Sequence, residues 1–300
     1  MKIEVECLPC LIQRGYLQIL ESNKDPHLQF EAASALLECM AKGFNPNAVA
    51  AVLGTKRDRL IKRISGNPDV YAKRKAESNR VALKALPALR QMIEGEASQK
   101  KRFRKACLAS IVGNIIEFDI PDHEVELDEL TLLIEKAEQD LAIDNIDDIY
   151  TLAKDSRNVL FLTDNAGEIV FDTLLISEIK KLGARVTVAV KGGPILNDAT
   201  LDDAKAVNMF QVADKVITTG ADAVGLPSPE ETSEEFLKAY EKADLIVAKG
   251  MGYAETLTEI NLKKPHAFLL RTKCNPVARH FRVPRNKNVA ELAPVSLESG

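Results

Sequence analysis

Apolar residues follow two different rhythms along this chain, and the rhythm changes near residue 150. In the first half they recur at the three- and four-residue spacing of amphipathic helices. These helical segments are 3–21, 30–41, 46–64, 70–93, 100–118 and 129–141, with a loop at 121–125. Turn-forming clusters such as Lys24-Asp25-Pro26 and Gly66-Asn67-Pro68 separate several of them. The pattern predicts an α-helical domain or cap over residues 1–150.

In the second half, short apolar runs of strand length alternate with helical segments. The predicted strands are 159–163, 186–190, 215–218, 245–248 and 267–270, and the predicted helices are 169–182, 201–210, 233–242 and 253–260. This alternation predicts an α/β domain over residues 151–300, with a doubly wound, mostly parallel sheet. Residues 288–292 are expected to add an edge strand or to remain irregular.

The stretch from Asn158 to Asp172, NVLFLTDNAGEIVFD, contains a strand, a polar turn and the start of a helix. A second apolar strand follows the helix, so the segment predicts a β-α-β unit. Asp164 and Asn165 then lie at the carboxyl end of a central strand. In open α/β sheets this edge is where ligands bind.

Three of the other four predicted strands also end in polar, glycine-containing turns. Lys191-Gly192-Gly193 leads to Asn197-Asp198 after the second strand, and Lys249-Gly250 follows the fourth. Because the carboxyl ends of parallel strands are neighbours, these groups are expected to converge on one crevice. Oxygen ligands suit a hard divalent cation. Lysine and backbone N–H groups, as at Lys191 and Gly250, then remain for phosphate.

Each residue taken alone also has a structural interpretation. Asp164 or Asp198 could cap the following helix, since Asp is a favoured N-cap residue. Lys191 and Lys249 could be surface lysines, although each directly follows a buried strand and precedes glycine. Two acidic strand ends together favour a metal site at Asp164, Asn165 and Asp198.

Three familiar site types do not fit the sequence. Neither the Rossmann fingerprint nor the P-loop motif occurs in the chain. Haloacid-dehalogenase-like phosphatases place a second carboxylate two residues after the nucleophilic Asp, and Ala166 occupies that position here. This departure disfavours that mechanism but is compatible with phosphate chemistry.

Charge and cysteine content narrow the class of protein. The chain has 40 basic and 44 acidic residues, so it lacks the basic surplus typical of nucleic-acid or anionic-membrane binding. The opening MKIEVECLPC lacks the apolar core of a signal peptide. The chain has five cysteines, an odd number in a long chain. This count argues against a disulfide framework and favours a cytoplasmic location. Cys7 and Cys10 could be half of a zinc or redox site, or structural residues.

Several motifs together resemble the damage-control phosphatase family, long catalogued as a domain of unknown function and including acidic-residue-methyltransferase-like proteins. The similarity rests on Asp164-Asn165-Ala166-Gly167-Glu168, the 191–198 segment, Lys249-Gly250, Ser78-Asn79 and Gly113-Asn114. Cys7-x-x-Cys10 is similar to the mark of the archaeal and bacterial branch of this family. The resemblance spans nearly the whole chain.

The resemblance implies a metal-dependent phosphatase acting on small phosphorylated metabolites, with manganese, cobalt, nickel or magnesium as cofactor. By motif position, Asp164, Asn165 and Asp198 would be the metal ligands. Lys249, Glu168, Asn79 and Asn114 would orient the phosphoryl group or the attacking water. Asp164 could instead form a phospho-enzyme, although the missing partner at Ala166 favours water.

Two other functions remain as alternatives. One is an S-adenosylmethionine-dependent carboxyl methyltransferase, although no glycine-rich cofactor loop follows the first strand. The other is a non-catalytic protein that binds a phosphometabolite in the same crevice. The natural substrate and the oligomeric state are not determined by the sequence.

Overall fold

The computed structural model describes residues 1–113, 127–293 and 295, as helices followed by alternating strands and helices. The helices are α1 (Cys7–Ser22), α2 (Pro26–Gly43), α3 (Ala50–Ser65), α4 (Ala72–Glu94), α5 (Gln99–Val112), α6 (Leu127–Gln139), α7 (Ile146–Asp155), α8 (Glu168–Lys181), α9 (Leu201–Ala206), α10 (Met209–Val212), α11 (Glu234–Lys242), α12 (Gly250–Leu257) and α13 (Asn275–His280). The strands are β1 (Leu141–Asp144), β2 (Asn158–Leu162), β3 (Arg185–Val190), β4 (Lys215–Thr218), β5 (Leu245–Lys249), β6 (His266–Arg271) and β7 (Asn288–Ala293).

The strands form one sheet in the order β1-β7-β6-β5-β2-β3-β4. All neighbouring strands are parallel except β6 and β7. In the centre, Val159 of β2 aligns with Val186 of β3 on one side and with Leu245 of β5 on the other. The fold is therefore α/β with a mostly parallel sheet, as the alternation predicts.

The sequence prediction differs from the structure in several details, and α7 and α13 are helices that it did not include. β7 is an interior strand between β1 and β6, not an edge strand. The edge position belongs to β1, which the sequence did not predict. The segment 201–210 forms two helices, α9 and α10, rather than one. The chain bends between them at Asn208, which adopts a left-handed φ of 55°, a conformation that Asn tolerates better than most residues.

Alternate residues of the central strands supply two separate cores. Phe161, Val188 and Val247 point to the face covered by α4, α5 and α8. Leu162, Ala189 and Ala248 belong to the opposite core, which includes residues of α11, α12 and α13. Strands buried on both faces read as continuous apolar runs, and this explains why β2, β3 and β5 were recognisable in the sequence.

Helices α1–α3 have a third core of their own and lie over the carboxyl edge of the sheet. Their core contains Leu11, Leu36 and Ile61. On α3, Lys62 donates to the carbonyl of Pro194 and, at 2.9 Å, to Asp222, which lie in the loops after β3 and β4. The α1–α3 layer thus covers the edge at which the candidate site residues lie.

Helices α4–α6 pack on the sheet, because their apolar residues are part of the same hydrophobic core as residues of β2 and β3. The division at residue 150 stays a prediction, and β1 already belongs to the sheet before that point. Among the residues that the structure describes, no helix is both long and apolar enough to span a bilayer.

Candidate active site

The site forms where the strand order reverses between β2 and β5. From β2 the chain proceeds to β3 and β4, and then crosses back to β5 on the other side of β2. In open α/β sheets, ligands are expected to bind at the carboxyl edge where the strand order reverses in this way. Asp164 lies after β2, and Gly250 lies after β5.

A short backbone bridge joins the loop after β2 to the loop after β3. Asn165 and Asp198 form an isolated antiparallel bridge. It is supported by hydrogen bonds from the Ala166 N–H to the Asn197 carbonyl at 2.9 Å and from the Ala199 N–H to the Asp164 carbonyl at 2.8 Å. The bridge brings Asp164, Asn165 and Asp198, predicted from two separate motifs, into one place.

The carboxylates at this bridge repel each other in a buried environment. Burial raises the pKa of Asp164 well above its ordinary value, and the neighbouring carboxylates of Glu168 and Asp198 raise it further. Burial also raises the pKa of Asp198 to about 6, although Lys191 opposes this rise. Such a concentration of negative charge is stabilised by a bound cation.

Gly250 has to be glycine because Asp164 occupies the space of a side chain. Residue 250 has a φ of +78°, and a Cβ added there would overlap the carboxylate of Asp164. Backbone and carboxylate therefore meet closely at the junction of β2 and β5.

Lys191 supplies a buried positive charge beside Asp198. Its ammonium group donates to the Gly225 carbonyl at 2.7 Å, lies 3.5 Å from Asp198 Oδ2 and stands 3.9 Å from the ring centroid of Tyr253. Burial by itself would lower the pKa of Lys191, but Tyr253 and Asp198 outweigh it and raise the pKa. Lys191 is therefore an internal counter-charge and not a surface lysine.

Lys249 is also completely buried, between α5 and α8. Its ammonium group donates to the Ser110 carbonyl at 2.9 Å, to Asp172 Oδ1 at 3.0 Å and to Glu168 Oε1. Burial alone would lower the pKa of Lys249, but the carboxylates of Asp172 and Glu168 raise it. Sequence reasoning missed Asp172 and Ser110. The available signal was the spacing of Asp172 four residues after Glu168, which places both on one face of α8.

Glu168 connects this buried group to the bridge. The Asn165 amide donates to Asp164 Oδ2 at 2.9 Å and lies 3.4 Å from Glu168 Oε2. Glu168 therefore contacts Lys249 through one oxygen and approaches a predicted metal ligand through the other.

Asn79, on α4, contacts the turn that contains Asp164 and Glu168. Its Oδ1 accepts the Gly167 N–H at 2.7 Å, and its Nδ2 donates to Asp203 Oδ1 at 2.8 Å. Asp203 in turn accepts from the backbone and side chain of Thr200. Both ends of the Asn79 amide are thus occupied by protein groups. Its predicted contact with substrate stays a prediction, as does that of Asn114, which lies outside the described residues.

Lys273 follows β6 and lies within electrostatic range of the same carboxylates. Burial lowers the pKa of Lys273, while Glu168 and Asp164 oppose this change. The sequence analysis assigned no role to this lysine.

The two cysteines of the Cys7-x-x-Cys10 motif lie in the first turn of α1. Cys7 is half-buried and Cys10 is exposed. Within residues 1–113, 127–293 and 295, no group of three His, Cys, Asp or Glu residues is arranged to hold a metal ion.

Comparison with known proteins identifies the family of this chain. Residues 3–289 match the model of the damage-control phosphatase ARMT1-like domain. The chain belongs to this family.

Relatives and a solved structure agree with this assignment. A damage-control phosphatase of Archaeoglobus fulgidus is 38% identical over 293 residues, which cover 97% of this chain and 99% of that protein. An uncharacterized protein of Methanocaldococcus jannaschii is 40% identical, covering 96% and 95% of the two chains. The crystal structure of a DUF89 family protein from Pyrococcus horikoshii is 34% identical, with a TM-score of 0.86, and the match covers 97% of this chain and 99% of that one. The names of the family and of its members support a role as a phosphatase.

Proposed function

We propose that this protein is a metal-dependent phosphatase that hydrolyses small phosphomonoesters, with a divalent cation at the carboxyl edge of the sheet. The observation that carries the proposal is the bridge between Asn165 and Asp198, which gathers Asp164, Asn165 and Asp198 at the carboxyl edge where the strand order reverses between β2 and β5.

The residues present fit a hard divalent cation. Carboxylate and carboxamide oxygens are the ligands preferred by magnesium and manganese. The four carboxylates of Asp164, Glu168, Asp172 and Asp198 also outnumber the three nearby ammonium groups, which belong to Lys191, Lys249 and Lys273. A divalent cation would offset this excess, polarise a phosphoryl oxygen and lower the pKa of a water molecule. Cobalt and nickel remain equally open as cofactors.

The protein's own groups would then orient the reactants. Glu168 has one oxygen held by Lys249 and the other beside Asn165, so it is placed to accept a proton from attacking water. Lys191 provides positive charge next to Asp198. Gly250 lets the backbone after β5 approach the Asp164 carboxylate without a side chain between them.

Phosphate release from an aryl phosphate tests this proposal. The protein is stripped of metal and assayed with magnesium, manganese, cobalt or nickel, beside Asp164→Ala and Asp198→Ala. Asp214→Ala is the matched control, because Asp214 accepts from the Val186 N–H at 2.8 Å at the opposite edge of the sheet. We expect metal-dependent turnover that is lost in the two site variants and retained in the control.

A negative result with the aryl substrate leads to a panel of sugar phosphates, nucleotides and phosphopantetheine-like compounds. Equal turnover by Asp164→Ala and the unaltered protein would contradict the site, and no turnover on the whole panel would contradict the activity. In that case, tight binding of S-adenosylmethionine measured by calorimetry would support the methyltransferase alternative. Stabilisation by phosphometabolites without hydrolysis would support a binding protein.

A further inference from the structure

The buried group around Lys249 forms a closed set of hydrogen bonds. The main-chain carbonyl of Ser110 accepts from Lys249, and the Ser110 hydroxyl donates to Asp172 Oδ1 at 2.7 Å. Asp172 Oδ1 also accepts from Lys249 at 3.0 Å. The side chains of Ser110, Glu168, Asp172 and Lys249 are at most 2% exposed. Three elements, α5, α8 and β5, meet at this point.

This geometry leaves Lys249 no N–H for a ligand. An ammonium group has three donors, and Ser110, Asp172 and Glu168 provide three acceptors. Contact with a phosphoryl oxygen would require one of these buried bonds to break. A buried donor or acceptor that loses its partner is costly, so the resting arrangement is favoured.

The carboxylate oxygens of Glu168 and Asp172 that face away from Lys249 have different surroundings. The second oxygen of Glu168 approaches Asn165, whereas the second oxygen of Asp172 is buried without a hydrogen-bond partner among the described residues. Among the described residues, Glu168 is therefore the member of this set that connects it to the bridge of Asn165 and Asp198.

We propose that Ser110 and Asp172 are positioning residues that hold Lys249, and that Lys249 acts on the reaction by fixing Glu168 and not by binding the phosphoryl group. The proposal rests on the phosphatase function proposed above. It assigns a function to two residues that contact neither the bridge nor the crevice, and it changes the expected role of Lys249.

Glu168 then depends on residues in three elements for its orientation. Asp172 lies one turn after Glu168 on α8, so both carboxylates reach the same ammonium group. Without the charge of Asp172, or without the Ser110 hydroxyl that orients it, Lys249 and Glu168 lose their fixed arrangement. Small displacements of a proton acceptor reduce turnover strongly, while substrate binding at the bridge is unaffected.

A double-mutant cycle on kcat tests whether Asp172 acts through Glu168. The four proteins are the unaltered chain, Asp172→Asn, Glu168→Gln and the double variant, all assayed with saturating metal. We expect Asp172→Asn to lower kcat at least about ten-fold with KM and the inhibition constant of inorganic phosphate unchanged. In the Glu168→Gln background the same substitution is expected to lower kcat less than about two-fold, because the Glu168 carboxylate that Asp172 would position is already absent.

Glu178→Gln is the matched control for burial of a carboxylate on α8. Glu178 is 2% exposed and pairs with Lys181 at 2.7 Å, away from the bridge, so kcat is expected to be unchanged. If Asp172→Asn fails to fold, Ser110→Ala replaces it in the same cycle, because it removes only one hydroxyl group.

The outcomes separate the two proposals. No turnover by the unaltered protein on the whole panel contradicts the phosphatase function. If the unaltered protein is active, any of three results contradicts the positioning role. These are an equal loss of kcat from Asp172→Asn in both backgrounds, no loss of kcat in either background, or weaker inhibition by inorganic phosphate.

Discussion

The Cα of Gly250 lies against the carboxylate of Asp164, so that a Cβ at residue 250 would overlap it. This contact joins the ends of β2 and β5, the two neighbouring strands between which the strand order reverses. The position of Asp164 therefore depends partly on the absence of a side chain at residue 250, which lies 86 residues later in the chain.

Gly250→Ala is expected to displace Asp164 and to lower kcat/KM about 100-fold or more, because a misplacement of about 1 Å has this effect. Gly66→Ala is the control, since Gly66 has a similar φ of +68° but no atom within 4 Å of the added Cβ. Both variants carry the strain of a left-handed alanine, which costs about 1 kcal/mol. Steady-state kinetics and urea unfolding measure the two effects, and equal activity of both variants would contradict the steric argument.

Asn79→Ala is expected to lower the free energy of unfolding by about 2 kcal/mol, because it leaves the Gly167 N–H and Asp203 Oδ1 unpaired. Since Gly167 directly precedes Glu168, kcat should fall as well. Asn67→Ala removes a comparable pair of bonds, to Ser22 and Asp69, in a more exposed place and should leave kcat unchanged. A rise in KM without loss of stability in Asn79→Ala would instead indicate contact with substrate.

His266 should make the fold less stable in mild acid. Burial lowers the pKa of His266 to about 4, and its ring contacts the Lys264 carbonyl at 2.7 Å and the Tyr240 hydroxyl at 3.2 Å. The folded state keeps the ring neutral, while the unfolded state binds a proton below about pH 6.5. Stability is thus complete above that pH and is lost as the pH falls toward 4.

The expected loss from His266 between pH 7.5 and pH 5 is about 2 kcal/mol. Urea unfolding at the two pH values, compared with His266→Phe, measures it. The variant should show a pH dependence that is smaller by this amount. The same pH dependence in both proteins would rule out His266 as the source.

Asp222→Asn is expected to weaken the attachment of α3 to the sheet edge. Asp222 accepts from Arg59 and Lys62, each at 2.9 Å. Because these groups are partly exposed, the loss should be about 1 kcal/mol and should shrink in high salt. Glu234→Gln, which breaks the exposed pair with Lys238, should change stability by less than about 0.5 kcal/mol. A loss that is independent of salt would indicate a packing effect and not an ionic one.

Local sequence properties were enough to predict the α/β class, five of the strands and the presence of the candidate ligands at strand ends. Val159, Val186 and Leu245 begin apolar runs because their strands are buried on both faces, and this burial is visible in composition alone. Asp164 and Asn165 could be singled out because they follow one such run almost directly, and Asp198 because it lies in the polar turn after the next run. Their roles in metal binding stay predictions.

Only the tertiary structure decided which distant residues meet. The insertion of β7 between β1 and β6 depends on hydrogen bonds between segments about 150 residues apart, Leu141 and Asn288 among them. The contacts of Lys249 with Ser110 and Asp172 depend on how α5 packs against α8 and β5. Hydrophobic periodicity reports whether a residue is buried, because burial follows from its own side chain and near neighbours. It carries no information on which buried side chain of another element stands opposite, because that depends on the packing of the whole chain.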